Sequence, residues 1–297
     1  MASQLKALDQ QVIVLTGASS GIGLCTAQLA AERGARLVLV ARSGDVLEQL
    51  VAQIAANGGT AIAAVADVAE RAQMDEVARI AMAEFGRIDT WINNAGVSVY
   101  GWLDQVSDED HRKVFDTNFW GVVNGSLAAL PYLKRNGGAL VNLGIEASEP
   151  AAQLQGMYTA SKHAVKGFTD ALRAELDAAA KSPEVSVTLV QPGAVDTPFP
   201  HNARNYLDQE PTLAGPAIDP QEVAEAILRA ATEGGRDLRV GAMSTLNSAI
   251  AKIVPWLGDR MAGRSSDRPA RAERPRRPEG TLYEPGHSGR IHGRAVA

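Results

Sequence analysis

Cysteine is almost absent from this chain of 297 residues, which contains only Cys25. A single cysteine excludes an internal disulfide and a cysteine-rich metal centre, and it is typical of proteins in the reducing cytoplasm. We therefore predict a cytoplasmic protein without a metal site. No apolar run reaches the roughly 18 residues that a transmembrane helix needs, and residues 1–11 hold no apolar segment behind a basic start. We expect neither a membrane span nor a signal peptide.

The chain also lacks an excess of positive charge, and it has few aromatic side chains. The formal net charge is −5 and aromatic residues make up 5% of the chain, so nothing indicates a surface for nucleic acid. Apolar residues nevertheless account for 45% of the sequence, which favours helices packed closely on a sheet and argues against disorder. The length suffices for one α/β domain of about 250 residues with an appendage, or for two domains.

Short apolar runs alternate with helical segments through most of the chain. The predicted strands cover residues 12–15, 36–41, 60–66, 87–92, 139–143, 185–190 and 237–240. Such alternation is typical of βαβ units with right-handed crossovers. We predict an α/β fold, a Rossmann-like, doubly wound parallel sheet of seven strands with helices on both faces. Ligands of such sheets bind at the carboxyl ends of the strands.

A glycine-rich loop at residues 16–23 joins the first strand to a helical segment at residues 24–33. In this context Gly17 and Gly21 allow the backbone to approach a pyrophosphate, whose charge the N–H groups of the helix would meet. Gly23 allows close packing of helix on strand. A plain strand-to-helix turn is the alternative. The remaining predicted cradle residues are Ser19, Ser20 and Ile22.

The end of the second strand bears on the choice of cofactor. NAD-binding folds place an acidic residue there for the ribose 2′-hydroxyl, but this chain has Ala41 followed by Arg42. A guanidinium can hold a 2′-phosphate with two hydrogen bonds, whereas a carboxylate would repel it. We predict NADP(H) as the preferred cofactor, with NAD(H) possible in its place. A surface arginine in an ordinary loop is the alternative.

Tyr158 and Lys162 lie four residues apart in a helical segment, so both side chains share one helix face. A neighbouring ammonium favours the phenolate and lowers the tyrosine pKa, which makes proton exchange with an alcohol or carbonyl oxygen feasible. Taken alone, the pair would be interpreted as two exposed side chains on a helix surface. Asn118 lies inside the long helix predicted at residues 108–133. Asparagine has a low helix propensity, so this side chain either faces solvent or is kept for a functional role.

These motifs together resemble the short-chain dehydrogenase/reductase family over residues 10–241. The resemblance rests on the loop at 16–23, Asp67, the Asn-Asn-Ala-Gly run at 93–96, Asn118, Tyr158 with Lys162, and Pro192 with Gly193. It implies that the chain is an NADP(H)-dependent oxidoreductase that interconverts a secondary alcohol and a ketone. Tyr158 would donate or accept the proton in that reaction. Lys162 would bind the nicotinamide ribose and lower the tyrosine pKa, and Asn118 would hold a water in a proton relay.

The resemblance also implies further cofactor contacts and an assembly. Asp67 and Val68 would flank the adenine. The cofactor would be lined by Asn94, Ala95 and Gly96, and the nicotinamide would be covered by Pro192, Gly193, Val195 and Thr197. Family members of this kind pair through the helices that hold Asn118 and Tyr158, which implies a homodimer or homotetramer.

One residue departs from the family pattern. The family has a serine thirteen residues before the tyrosine to hydrogen-bond the substrate oxygen, and this chain has Ile145 there. An isoleucine donates no hydrogen bond, and loss of such a donor typically costs about 10²–10³ in rate. Three interpretations remain: Ser148 or another loop donor substitutes, the enzyme is slow, or the chain binds NADP(H) without turnover, as a sensor or assembly protein.

The last third of the chain differs in composition. Residues 199–217, rich in proline, are predicted to form a lid over the substrate, with His201 as a polar lid residue rather than a base. We divide the chain into a Rossmann-type domain (1–241), a helical extension (242–263) and a mobile tail rich in arginine, proline and glycine (264–297). The apolar stripe of the extension favours packing on the domain or on another subunit over attachment to a membrane surface.

Overall fold

The structure is a computed structural model that describes residues 5–146, 153–179, 185–211, 213, 217–241, 273–287 and 289–293. Within these residues, seven parallel strands form one sheet and two short strands form another. The strands in chain order are β1 (Val12–Thr16), β2 (Arg36–Ala41), β3 (Thr60–Val65), β4 (Thr90–Asn93), β5 (Val99–Tyr100), β6 (Gly138–Leu143), β7 (Val185–Pro192), β8 (Arg204–Asn205) and β9 (Asp237–Val240).

The large sheet has the order β3-β2-β1-β4-β6-β7-β9. Its central strand β1 is buried at every position and pairs with β2 on one side and β4 on the other, which is why its sequence is apolar without alternation. The direction of winding reverses between β1 and β4, and in such folds a ligand binds at this reversal. The predicted seven-stranded, doubly wound fold is confirmed.

Helices cover both faces of the sheet. They are α1 (Gly21–Glu32), α2 (Gly44–Ala56), α3 (Arg71–Phe85), α4 (Asp108–Phe115), α5 (Gly121–Asn136), α6 (Gly156–Ala179), α7 (Phe199–Asn202) and α8 (Pro220–Glu233), with one 3₁₀ turn at Leu8–Gln10. The core on one face joins side chains of α1, α2 and α8, and the core on the other face joins α3, α5 and α6. The sheet is therefore enclosed by two apolar layers.

Two predicted elements differ from the structure. The long helix expected at residues 108–133 contains a π-helical segment, Asp116–Trp120, between α4 and α5. Single π turns inside helices often mark functional positions. The fourth strand begins at Thr90 rather than at residue 87. Just before it, the side chain of Asp89 accepts the Val12 N–H at 2.9 Å.

The segment predicted as a lid has its own structure. Residues 199–202 form α7, and β8 pairs in parallel with β5. His201 donates to or accepts from Glu210 at 2.8 Å. The next helix, α8, begins after Asp219, which caps it by accepting the Gln221 N–H at 2.8 Å.

The C-terminal region is only partly described. The apolar stripe predicted in the extension at 242–263 lies outside the described residues, as does the first part of the predicted tail, 264–272. Residues 273–287 and 289–293 are described, and they contact the domain. The domain boundaries themselves stay predictions. No helix in the described part of the chain is long and apolar enough to cross a membrane.

Candidate active site

The loop between β1 and α1 forms a tight cradle at the reversal point of the sheet. Gly17 and Gly21 have φ values of 70° and 54°, in the left-handed region that favours glycine. A Cβ atom at Gly23 would lie 2.1 Å from the carbonyl oxygen of Gly17, so only glycine allows this approach of helix to loop. The helix begins at Gly21, and its cap residue Ser20 makes no side-chain cap. The backbone N–H of Gly21 has no acceptor within the helix and donates to one outside it, the Arg290 carbonyl oxygen, at 2.8 Å.

The loop after β4 is tied to this cradle. The hydroxyl of Thr16 accepts the backbone N–H groups of Asn94 and Ala95 at 3.0 and 3.2 Å. In return, the side-chain amide of Asn94 donates to the carbonyl oxygens of Thr16 and Gly17. These bonds hold the Asn-Ala-Gly run beside the glycine loop, as the shared carboxyl edge of parallel strands requires.

Lys162 is buried beside Tyr158. Its Nζ donates a 2.9 Å hydrogen bond to the carbonyl oxygen of Leu143 at the end of β6, and it lies 6.0 Å from the centre of the Tyr158 ring. Burial lowers the pKa of Lys162 from 10.5 to about 8, since a buried site disfavours the ammonium. The ring of Tyr158 also packs on that of Phe199, with 5.4 Å between ring centres. Lys162 is thus shielded from solvent, and Tyr158 is half-buried beside it.

Asn118 is fully buried within the π segment. Its side-chain carbonyl accepts the Val97 N–H at 2.8 Å, and its amide donates to the Val97 carbonyl oxygen and to the Ser161 hydroxyl. A Cβ atom at Gly96 would lie 3.4 Å from Oδ1 of Asn118 and 3.7 Å from Nζ of Lys162. Asn118 therefore faces the protein interior, and it fixes the loop after β4 against α6.

Ile145 follows the carboxyl end of β6 on the same edge. Its carbonyl oxygen accepts the side-chain amide of Gln191 at 3.1 Å, which fixes the backbone at this position. The next residue, Glu146, is also buried. The alternative donor Ser148 lies outside the described residues.

Arg42 lies at the end of β2, but its present partners belong to the C-terminal segment. Its guanidinium donates to the carbonyl oxygens of Leu282 and Tyr283 at 3.1 and 3.0 Å, and to that of Thr281. The hydroxyl of the neighbouring Ser43 donates to the Gly286 carbonyl oxygen at 2.6 Å. The side chains of Arg42 and Ser43 thus both donate to backbone carbonyl oxygens of the C-terminal segment.

The remaining predicted cofactor residues border the same cleft. Asp67, after β3, forms an ion pair with Lys113 at 3.2 Å, and Val68 beside it packs on Gly121. On the other side, Thr197 is buried and contacts the cradle, because a Cβ atom at Gly21 would lie 3.1 Å from its Cβ. The loop at 193–197 is held by a bridge between Val195 and Ile218.

The structure gathers the predicted residues at one edge of the sheet, around the reversal between β1 and β4. Sequence reasoning missed Ser161, which supports Asn118, and the C-terminal segment, which contacts Arg42 and Ser43. The adjacent Thr281, Leu282 and Tyr283 were a signal, because they interrupt an otherwise polar tail.

Among the described residues, no group of three or more histidine, cysteine or acidic side chains could hold a metal ion.

The sequence matches the model of the short chain dehydrogenase family over residues 11–207. This chain belongs to the short-chain dehydrogenase family. An uncharacterized oxidoreductase of Bacillus subtilis, YxnA, is 41% identical over 288 residues, which covers 95% of this dehydrogenase and 80% of the relative. The 11-beta-hydroxysteroid dehydrogenase A of Sesamum indicum is 33% identical over 237 residues, 76% of this chain and 67% of the relative.

Solved structures of the family have the same fold as this short-chain dehydrogenase. A short-chain dehydrogenase/reductase from Burkholderia phymatum in complex with NAD has a TM-score of 0.76 and 28% identity, covering 85% of this chain and 96% of its own. An alcohol dehydrogenase from Thermococcus sibiricus complexed with 5-hydroxy-NADP has a TM-score of 0.67 and 27% identity, covering 77% and 95%. The chain is an oxidoreductase of a family whose members bind nicotinamide cofactors.

Proposed function

We propose that this short-chain dehydrogenase is an NADP(H)-dependent oxidoreductase that interconverts a secondary alcohol and a ketone, with Tyr158 as the proton donor and acceptor. The observation that carries the proposal is the position of Lys162. Its buried Nζ lies beside the Tyr158 ring and close to Gly96 and Asn118, at the edge of the sheet that also holds the glycine cradle. A lone exposed Tyr/Lys pair has no such surroundings.

The residues of the cleft fit a nicotinamide dinucleotide. The glycine loop has no room for a side chain at Gly23. The Gly21 N–H, at the positive end of α1, suits a pyrophosphate oxygen. When bound, the nicotinamide supplies or takes up a hydride. In the reducing direction, the Tyr158 hydroxyl gives its proton to the carbonyl oxygen of the substrate; in the oxidising direction, its phenolate takes the proton from the alcohol. The ammonium of Lys162 favours that phenolate.

Arg42 and Ser43 support NADP(H) rather than NAD(H). β2 ends at Ala41, so no carboxylate stands there to accept a ribose 2′-hydroxyl, and the guanidinium and hydroxyl that follow are hydrogen-bond donors suited to a phosphate. The related structures were solved with NAD in one case and with an NADP derivative in the other. They support a nicotinamide cofactor of either kind.

Apolar side chains near Tyr158 support an apolar substrate. Trp102 is 51% exposed and Leu103 is 61% exposed, and Leu103 packs on Gly156, two residues before Tyr158. Large exposed apolar groups beside a reactive site suit a bulky apolar alcohol or ketone. The similarity to a hydroxysteroid dehydrogenase points in the same direction.

A homodimer or homotetramer remains part of the proposal. Trp120 is 51% exposed and Leu127 is 39% exposed at the start and middle of the helix that continues from Asn118. Large apolar side chains on one helical surface favour burial against a second copy. A cytoplasmic location and the three-part domain division stay predictions from composition.

The proposed function is tested by scanning apolar ketones and secondary alcohols for a change in NADPH or NADP⁺ absorbance. Tyr158→Phe removes the proton donor while it keeps the ring that packs on Phe199, so it should bind cofactor like the parent and turn over at least about 10²-fold more slowly. Equal turnover by Tyr158→Phe and the parent would remove Tyr158 from the reaction. A parent that binds NADPH but converts no substrate would favour the cofactor-binding, non-catalytic alternative.

A further inference from the structure

The C-terminal segment, described at residues 273–287 and 289–293, runs along the cofactor cleft. Arg42 donates to the carbonyl oxygens of residues 281–283. The chain then passes Ser43, whose hydroxyl donates to the Gly286 carbonyl oxygen. Farther on, the Arg290 carbonyl oxygen accepts the Gly21 N–H at 2.8 Å. The Gly293 N–H then donates to the carboxylate of Asp196 at 3.2 Å, in the loop after β7. The segment thus contacts the carboxyl ends of β2, β1 and β7 in turn.

The start of this segment is anchored firmly. Leu282 has no exposed surface and belongs to an apolar cluster with Val97, Val99, Val106 and Val114. Before it, the Thr281 N–H donates to the Asn202 carbonyl oxygen at 2.7 Å. Burial of this leucine side chain stabilises the docked position, because it removes apolar surface from water.

Further contacts attach the same part of the segment to α4 and to the predicted lid at residues 199–217. The Tyr283 hydroxyl donates to Asp110 at 2.7 Å. The Asn205 N–H donates to the Pro278 carbonyl oxygen at 2.7 Å, and the Glu210 N–H donates to that of Glu273 at 2.9 Å. At Gly280, a Cβ atom would lie 2.5 Å from the backbone of Ala203, so the segment fits this groove only with glycine there.

The segment uses the same donors that a dinucleotide would need. Arg42 is the residue proposed to hold a 2′-phosphate, and both of its terminal nitrogens already donate to backbone carbonyl oxygens. Gly21 carries the N–H proposed for the pyrophosphate, and its single hydrogen cannot serve a phosphate oxygen and the Arg290 carbonyl oxygen at once. The docked segment and a bound dinucleotide therefore exclude each other at Gly21.

We propose that the described parts of this C-terminal segment, residues 273–287 and 289–293, are autoinhibitory: they occupy the dinucleotide cleft in cis and have to leave before the cofactor binds. The inference rests on the proposed function, since it takes the cleft to be the nicotinamide cofactor site. Backbone carbonyl oxygens are neutral acceptors, and a charged phosphate forms hydrogen bonds roughly twice as strong. The segment competes nevertheless because it is tethered, which keeps its local concentration in about the millimolar range.

This competition makes a quantitative demand on cofactor affinity. When only a fraction of the molecules is open, the apparent dissociation constant is the intrinsic one divided by that fraction. The fraction of open molecules is a property of the protein alone and does not depend on which cofactor binds. Release of the segment must therefore tighten NADPH and NADH binding by the same factor.

Two full-length variants release the segment by different means. Leu282→Asn places an amide in the apolar cluster, and Gly280→Val brings a side chain against the Ala203 backbone. Leu282→Met is the matched control, because it keeps an apolar side chain of similar volume. We expect both releasing variants to bind NADPH and NADH about ten-fold or more tightly than the parent, by equal factors, and Leu282→Met to match the parent. Cofactor fluorescence titration measures all four proteins, and thermal unfolding verifies that each is folded.

Hydrogen exchange of the parent gives a second measurement that does not depend on any variant. The Thr281 and Gly293 amides should lose protection when saturating NADPH is added, because both are bonded only while the segment is docked. Retained protection, or releasing variants that bind like the parent, would overturn the autoinhibitory role and leave the proposed function intact. Failure of every variant to bind either dinucleotide would refute both.

Discussion

The ammonium of Lys162 donates to the carbonyl oxygen of Leu143, which ends β6 two residues before Ile145. The charged group beside Tyr158 and the residue that departs from the family pattern are therefore held by one strand end. The position of Ile145 is fixed again from the other side by Gln191. A side chain introduced at 145 would extend from a backbone that is already anchored near the strand end that Lys162 contacts.

We expect Ile145→Ser to raise kcat/KM by about ten- to a thousand-fold on an apolar ketone, the range that one well-placed donor supplies. The dissociation constant for NADPH should hardly change, because position 145 belongs to the substrate side of the cleft. Ile145→Ala is the matched control, since it removes the bulk without adding a hydroxyl. Ser148→Ala in the parent tests whether that serine already substitutes. An Ile145→Ser variant as inert as the parent, with NADPH still bound, would contradict the enzymatic interpretation.

Arg42 is expected to select the 2′-phosphate. Because Arg42 also donates to three carbonyl oxygens of the C-terminal segment, its substitution in the parent would weaken phosphate binding and release the segment together. We therefore place Arg42→Ala in the Leu282→Asn background, where the preference for NADPH over NADH should largely disappear. Arg135→Ala, in the last turn of α5, is the control. Equal dissociation constants for NADPH and NADH before the Arg42 change would rule out this selection.

Lys162 makes the free energy of unfolding depend on pH. Burial lowers its folded pKa from 10.5 to about 8, so between these values the unfolded chain binds more protons and stability rises with pH. The cost of the buried ammonium is complete below about pH 8 and is relieved toward pH 10.5. Relative to Lys162→Met, the parent should gain up to about 3 kcal/mol between pH 7 and 10.5. Urea unfolding of both proteins measures the difference in their free energies of unfolding. A difference that does not change with pH would contradict the lowered pKa.

Asn118→Leu should destabilise the fold by about 2–4 kcal/mol, because it leaves the N–H and carbonyl groups of Val97 buried without partners. Asn136→Leu makes the same chemical change at an exposed position at the end of α5 and should stay within about 0.5 kcal/mol of the parent. Denaturant unfolding compares the three proteins. A parent-like Asn118→Leu would mean that these hydrogen bonds contribute little to stability.

The assembly prediction concerns the helix surface around Leu127. Light scattering at micromolar concentration should give the parent a dimeric or tetrameric mass, and Leu127→Asp should lower it, since a carboxylate is costly to bury in an apolar contact. Val65→Asp introduces the same charge at a 63% exposed apolar position at the end of β3 and should leave the mass unchanged. A monomeric parent would exclude this mode of pairing.

The sequence by itself determined the fold, and it predicted most residues of the candidate site. The apolar runs of β1 and β2 need no distant information, because a strand buried on both faces is apolar throughout. The loop at 16–23 and the Tyr158/Lys162 pair are also local patterns, since their chemistry depends on a turn or on one helix face. Once the winding of the sheet is known, the carboxyl ends of its strands must meet, and the loops between them become one cleft.

Only the tertiary structure decided what each polar group contacts. The partners of Asn118 are Val97 and Ser161, which are far from it in the sequence, and the π segment that directs its side chain inward appears in no local periodicity. The partners of Arg42 lie about 240 residues away, in a tail whose composition alone predicts mobility. Its docking depends on a buried leucine and a glycine that fits against the proposed lid. Such long-range complementarity of shape and hydrogen bonding is a property of the folded chain, because it exists only after distant segments have met.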